Sequence, residues 1–549
     1  MRTPIGLVPA LAVAVLTAGA AAQSSAPAAA STEAANARRF ERAVHASHRV
    51  LQAWLKHADP DTRLLPDYPA VDRGKWIYTP HNSGADLYPY LILTAQLTDP
   101  DLYDGRLMEM LRSEVRHTTV QRSIPASLTL TDHRAGPASF FGAAEYAKDG
   151  LIAVTEYLGR TPWFYRMVDM IADAMTDATV PSRFGALPAS DAETNGDYLQ
   201  ALVRIATMTG DRRFLDWARR IGDAYIEEVL PGSGGVPGYK WDFQRHSGER
   251  RLRLRDHGNE TIVGLVMLFA LEHQLGSPRA DSYRPVLQRM LDRVLASANP
   301  DGLLYNEVNV DTLQPVDRNL SDNWGYVYGA VYTYYMVTGE TRYRDEVRRV
   351  LRGLPKYRKY VWEPRNPAAG LPLGSFDGYA DTIESAIYLA SREPLPEALD
   401  WIESEMDVML GMQRADGHLE DWYGEGNFNR TALLYAYMQS QGVRPERWQP
   451  GLGVGATRDG ARLRLHLAMD GPRRIQFDFA RHRRVLNLAR NYVRLNEFPE
   501  WFTVDENHLY RLRGPRAEHI RLGSELIAGV VLTPGDWVVE PVGDPPYAR

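Results

Sequence analysis

"TIVGLVMLFALEHQLG", residues 261–276, is apolar on every side. A helix lying on a surface keeps a polar face, so this stretch reads as a helix enclosed by other helices. "WGYVYGAVYTYYMVTG" (324–339), "DTIESAIYLAS" (381–391) and "RTALLYAYMQSQG" (430–442) share the property. A second kind of helix alternates with them. In "RRFLDWARRIGDAYIEEVL" (212–230), Phe214, Trp217, Ile221, Ala224 and Val229 recur every three to four residues, while Arg and Glu fill the other face. Such a helix lies outside, with its apolar stripe on the enclosed layer.

The junction between the two kinds repeats as "TGDRRFLDWARRI" (209–221) and "TGETRYRDEVRRV" (338–350), with looser copies at 97–111 and 158–171. Glycine ends the inner helix, an acidic residue starts the outer one and an aromatic pins the turn. A repeat of this kind marks an array of helical hairpins. Inner helices are expected to begin near Asp86, Lys148, Gly196, Gly258, Trp324, Asp381 and Asn429. An open array leaves its apolar layer exposed and a ring buries it, so residues 36–450 are predicted to form an α/α toroid of six or seven hairpins. After Pro450, "ARLRLHLAMD", "RRIQFDFA" and "ELIAGVVLTPGDWVVEPV" read as strands. Residues 451–549 are therefore expected to be a small antiparallel β-sandwich, structural support in the first reading and a glycan-binding module in the second.

The amino-terminal run "IGLVPALAVAVLTAGAAA" behind Arg2 reads as a signal peptide over residues 1–22, followed by a disordered spacer over 23–35. That places the mature chain outside the cytoplasm, secreted or periplasmic. No later run is long and uniform enough to span a bilayer. The absence of cysteine excludes disulfides, thiolate metal sites and a cysteine nucleophile. A net charge of −6, from 63 basic and 69 acidic residues, gives no polycationic face for nucleic acid. The 29 Tyr and 12 Trp offer flat apolar faces with polar edges, suited to sugar rings as well as to a core.

In a ring of hairpins all inner helices run one way, so their amino-terminal ends share one cavity. Seven segments converge there: "HNSGAD" (81–86), "EYAKD" (145–149), "ETNGD" (193–197), "RDHGNE" (255–260), "SDNWGYVY" (321–328), "DGYADTIE" (377–384) and "YGEGNFNR" (423–430). Each carries polar side chains, and most carry Tyr or Trp. Ordinary structural roles exist for several. Asp197, Asp322 and Asp381 suit helix caps, and His257 suits a hydrogen-bonded structural histidine. Lys148 and Arg430 oppose the helix dipole at such positions, and Glu260 and Glu384 are costly to bury unless paired or functional. His257 and Glu260 alone have helical metal-ligand spacing, which occurs readily by chance, so neither a metal nor a cofactor is expected.

With this layout and loop content, residues 36–450 resemble the secreted α/α-toroid carbohydrate-active enzymes, a superfamily of glycoside hydrolases and polysaccharide lyases. The resemblance implies cleavage of a polysaccharide or oligosaccharide, and the polar mouths favour an acidic one. Two chemistries fit. β-Elimination from a uronic acid, favoured here, needs a base, an acid and a clamp on the sugar carboxylate. Hydrolysis needs two carboxyl groups across the bond, drawn from Glu260, Asp322, Asp377, Asp381 and Glu384. The candidate catalytic residues are His257, Glu260, Tyr326, Tyr328, Tyr379 and Asp381. His81, Lys148, Asn259, Asp322, Asn323, Trp324, Asp377, Glu425 and Arg430 are the candidate substrate contacts. A non-catalytic glycan-binding protein is the third reading.

Overall fold

The computed structural model describes residues 31–255, 258–364, 375–494 and 496–543. The expected signal peptide, most of the spacer and His257 lie outside the described residues. Helices follow in chain order: α1 (Thr32–Trp54), α2 (Tyr88–Thr98), α3 (Met108–Thr118), α4 (Ile152–Leu158), α5 (Pro162–Thr176), α6 (Ala192–Thr209) and α7 (Arg212–Ala224). The series continues with α8 (Glu260–Gln274), α9 (Pro278–Ala296), α10 (Trp324–Thr338), α11 (Thr341–Gly353), α12 (Phe376–Ala390), α13 (Pro396–Gly411) and α14 (Glu425–Ser440). Two inner helices are extended at their amino ends by π-helical turns, Pro80–Leu87 before α2 and Tyr146–Leu151 before α4. Helix α1 takes in residues 32–35 of the stretch read as a disordered spacer, where alanine favours a helix and Glu33 bonds Thr457 of the carboxyl-terminal region.

The two helix kinds separate as their composition requires. Every residue of α8 from Glu260 to Glu272 is buried, whereas α7 buries only the stripe Phe214, Ala218, Ile221, Gly222 and Ala224. The inner helices pack in succession, from α2 and α4 through α6, α8, α10 and α12 to α14, and α14 packs back on α2. The interfaces are tight at the amino-terminal ends. A Cβ on Gly196 of α6 would lie 2.3 Å from the Thr261 amide of α8, and one on Gly426 of α14 would lie 1.8 Å from the Asp86 carbonyl. Inner helices pair with the outer helix that follows them, and α14, the last, takes α1, the first, as its cover. Trp54 of α1 donates to Glu425 at the start of α14 across 2.7 Å.

Helices α6, α12 and α14 start earlier than the sequence suggested, whereas α8 and α10 begin at Glu260 and Trp324, close to the expected positions. The caps of α6 and α12 are Asp191 and Ser375, not Asp197 and Asp381. Polar residues read as preceding the helices therefore lie inside their opening turns, on inward faces. Short strands missed by the sequence reading occupy the links that lead into the inner helices. Ile77–Tyr78, Thr119–Gln121, Ile124–Thr129 and Ala135–Ala138 form one sheet; Arg251–Arg253, Tyr305–Asn309 and Pro315–Leu320 form another.

The carboxyl-terminal region holds two antiparallel sheets. Five strands run in the order Gly453–Asp459, Arg462–Ala468, Gly535–Pro541, Leu509–Arg513, Glu518–Leu522, and three in the order Arg444–Pro445, Arg473–Gln476, Val530–Leu532. The first two strands of the larger sheet pack on α1. Residues 487–494 and 496–498 cross the carboxyl-terminal ends of the inner helices. Asn487 and Ala489 bond Gln274 of α8 at 3.0 and 2.8 Å, and the Val493 carbonyl accepts from Thr333 of α10 at 3.0 Å. Arg494 pairs with Glu156 of α4 at 3.0 Å, and Phe498 lies against Tyr437 of α14. These residues thus floor a bundle of parallel inner helices.

Candidate active site

At the opposite end, the first turns of the inner helices bring charged groups together. The π-helical turn before α4 presents Lys148, whose Nζ lies 2.6 Å from Asp149 and 2.8 Å from Glu260 at the start of α8. Gln200 of α6 donates to the same Glu260, and Tyr326 of α10 sets its ring 5.9 Å from the ammonium. Burial works against a charged Lys148, but Asp149, Glu260, Asp197 and Glu145 hold its pKa well above the ordinary lysine value. Glu145 and Asp197 are fully enclosed beside it. Burial pushes both carboxyls well up; Asp197 and Asp149 add to the push on Glu145, and Glu260 adds to that on Asp197 against the pull of Lys148.

A second centre lies on α12 and α14. Asp377, Asp381 and Glu384 are spaced four and three residues apart along α12, which puts them on one helix face. Arg430 of α14 bonds Asp381 at 2.6 Å, pairs with Glu384 and lies 5.4 Å from the Tyr90 ring centre. Burial pushes Glu384 up to about 8, opposed by Arg430 and reinforced by Asp381 and Asp149. Asn427, one turn before Arg430, donates to Asp377 at 2.8 Å. Burial, then Asp381 and Glu363, raise Asp377 well above the usual aspartate range. Asp377 and Asp381 are only half-buried, so solvent reaches this face of the cluster.

The aromatic rim lies next to it. Trp422 packs 5.6 Å from Phe376 and 5.0 Å from Tyr423, which in turn meets Tyr68, 46% exposed. Faces of this kind suit a sugar ring.

Glu260, Tyr326, Asp377, Asp381, Lys148 and Arg430 therefore stand in the cluster, and other expected residues do not. The Tyr328 hydroxyl donates to the Gly302 carbonyl on the outer side of α10, and Tyr379 looks toward Glu405 of the outer helix α13. Trp324 is fully buried and donates to Thr382 at 2.8 Å, tying α10 to α12 rather than offering a face to a sugar. Glu425 accepts from Trp54, from the Leu419, Glu420 and Asp421 amides and from the His418 ring. Its oxygens are committed to structure. Asn323 accepts from Ser321 at 2.7 Å, and Asp322 accepts from the Asn323 amide, so both serve the turn into α10. Asn259 is buried, and among the described residues its side-chain amide has no hydrogen-bond partner. His81 stands half-buried beside Phe141, its pKa lowered by burial.

Glu145, Asp149, Gln200 and Tyr90 were not singled out from the sequence. The spacing of Glu145, Lys148 and Asp149 on one helix face was the available signal. Asn496 had none, because it reaches Asp149 Oδ1 at 2.9 Å from beyond the helical region. Among the described residues two groups have metal-ligand geometry, Asp59 with Asp61 and His133, and His418 with Asp421 and Glu425. In the second, protein donors already occupy Glu425, and Arg414 holds Asp421.

No family model matches the chain, and no curated protein matches it. Solved structures do. A sugar epimerase from a ruminal bacterium is 9% identical, with 56% of this chain and 84% of that one covered at a TM-score of 0.41. A family 76 glycoside hydrolase from a bovine Bacteroides thetaiotaomicron strain is 12% identical, with coverage of 72% and 78% and a TM-score of 0.41. The unsaturated glucuronyl hydrolase of Bacillus sp. GL1 is 14% identical, with coverage of 54% and 85% and a TM-score of 0.39. These neighbours are carbohydrate-active enzymes, the class the sequence resembles, with three different activities among them.

Proposed function

We propose that the chain is an exported enzyme built on a ring of seven helical hairpins, and that it hydrolyses a glycosidic bond at the amino-terminal ends of the inner helices. The observation that carries this reading is the pair Asp377 and Asp381, one turn apart on α12 and in opposite environments. Burial, and then the like charges of Asp381 and Glu363, push the Asp377 pKa well above the usual aspartate range, the direction a general acid needs. Asp381 bonds Arg430 at 2.6 Å, which holds it in place to serve as base or nucleophile. Two carboxyl groups one turn apart, one crowded by like charges and one bonded to an arginine, suit the division of labour that glycoside hydrolysis requires.

Elimination from a uronic acid is less well supported, because the two cations of the cluster are already engaged. Lys148 holds Asp149 and Glu260, and Arg430 holds Asp381 and Glu384. Seven carboxyl groups around two cations also disfavour an anionic sugar at the reacting bond. The sugar there is uncharged or cationic in this reading, with Trp422 and Tyr423 as stacking faces.

Incubation of the purified protein with a panel of neutral, amino and uronate glycans tests it. New reducing ends without ultraviolet absorbance, lost in Asp377→Asn and Asp381→Asn, are expected. An absorbing unsaturated product would replace hydrolysis by elimination, and retention on a glycan column without turnover would leave a binding protein.

A further inference from the structure

A second cavity lies in the carboxyl-terminal region, between the larger sheet and the segment 479–507. Its volume, about 520 Å³, is that of a site for a sugar-sized ligand. Arg458, Phe479, His482, Arg484, Thr503 and Tyr510 are among the residues that line it.

Two polar groups there are prepared for a ligand. His482 is 8% exposed, and its Nδ1 lies 2.8 Å from Glu500 while its backbone amide donates to the same carboxylate at 2.6 Å. Burial opposes a charged Glu500, but the His482 bond, Arg481 and Arg494 hold its pKa down at about 2. An ionised Glu500 anchors the imidazole through Nδ1, and among the described residues Nε2 has no hydrogen-bond partner, so it is left for a polar group of a ligand. Arg458 is the second group. Its Nε and Nη1 donate to the carbonyls of Gly460 and Trp501 at 2.8 and 2.9 Å, and among the described residues no carboxylate pairs with it. Backbone carbonyls hold the guanidinium in place without cancelling its charge. Phe479 adds an apolar face, with the Arg484 guanidinium 4.8 Å from its ring centre.

A small anion alone answers Arg458 and does not reach the anchored imidazole as well. A neutral sugar satisfies Nε2 and leaves the arginine unanswered. We propose that this cavity is a saccharide-binding site separate from the catalytic cluster, and that it takes a sugar acid whose carboxylate meets Arg458 and whose hydroxyl bonds His482. The acid-rich catalytic centre and this cavity would then read different units of one polymer, or the cavity would hold a free sugar acid.

Calorimetric titration of the full chain with glucuronate, glucose and inorganic phosphate decides the matter. Glucuronate is expected to bind more tightly than either of the others, and Arg458→Met, at an exposed position, is expected to weaken it by about tenfold or more without moving the melting temperature. Asp381→Asn is expected to leave glucuronate binding unchanged. Loss of binding in Asp381→Asn but not in Arg458→Met would place the sugar acid at the catalytic mouth and overturn the proposal. Equal affinity for phosphate and glucuronate, or no glucuronate binding, would overturn it too. Neither result would bear on hydrolysis at Asp377 and Asp381.

Discussion

The two ends of the helical ring bury the same residue types and arrange them in opposite ways. At the floor, charges alternate: Glu156 lies between Arg204 and Arg494, and Glu497 between Arg494 and Arg392. Burial alone would raise Glu156, yet Arg494 and Arg204 bring its pKa below the ordinary value. At the mouth, carboxyl groups crowd together around Lys148 and Arg430, and Glu145, Asp197 and Asp377 are all pushed up. A network that neutralises itself serves the fold. One that gathers like charges against their repulsion is the arrangement expected of a functional site.

If that contrast is right, substitutions at the two ends should have opposite signatures. Asp377→Asn and Asp381→Asn should each lower kcat by about 10²–10⁴-fold, the usual contribution of a positioned acid or base. Their melting temperatures should hold, because Asp377 stands among like charges and Glu384 still pairs with Arg430 when Asp381 is neutralised. A loss of stability comparable to the loss of activity would make the mouth a second structural network.

Arg494→Met is the converse. It strips one cation from each of Glu156 and Glu497, both fully enclosed, and should destabilise the protein by about 3–5 kcal/mol in denaturant unfolding. Turnover per folded molecule should be retained. Stability within experimental error of the wild type would show that Arg204 and Arg392 suffice, and that the floor is redundant.

Glu384 sharpens the contrast through pH. Its folded-state pKa is raised from 4.5 to about 8, so its contribution to stability is complete below the unfolded value and is lost as pH climbs through about 8. Glutamine cannot ionise. Glu384→Gln should therefore flatten the fall in unfolding free energy between about pH 5 and 8, on the order of a few kcal/mol across the window. Identical slopes for the two proteins would mean that Arg430 keeps Glu384 ionised throughout.

The legible part of this molecule was its layering. All-round apolarity marks α8 and α10 as enclosed, and a stripe marks α7 as outer, because burial acts on composition directly. The start of each inner helix was harder to read. Asp197 and Asp381 resemble caps in sequence, whereas the capping work falls to Asp191 and Ser375 upstream, and polar residues inside a helix become affordable only through neighbours on other helices. Which tyrosine of "WGYVYGAVY" faces inward was also hidden, since a helix with no polar side carries no sign of its rotation; Tyr326 turns toward Lys148 and Tyr328 toward Gly302. Glu425 was misread for a related reason. Its charge is satisfied by three backbone amides and two side chains that only the folded loop brings together.

Asn496 joins the two ends and should show the smallest effect. Its amide donates to the carbonyl and to the Oδ1 of Asp149 at 3.1 and 2.9 Å, and Asp149 in turn holds Lys148. It extends from the floor to the candidate cluster and ties the carboxyl-terminal region to it. Asn496→Ala removes a buried donor from a carboxylate and should cost about 1–3 kcal/mol of stability. If the region positions the cluster, the variant should also lower kcat while leaving KM near its wild-type value, because Lys148 shifts relative to Glu260 without altering the exposed aromatic rim. A change in stability alone, with kcat intact, would confine the carboxyl-terminal region to scaffolding and restore a clean division between floor and mouth.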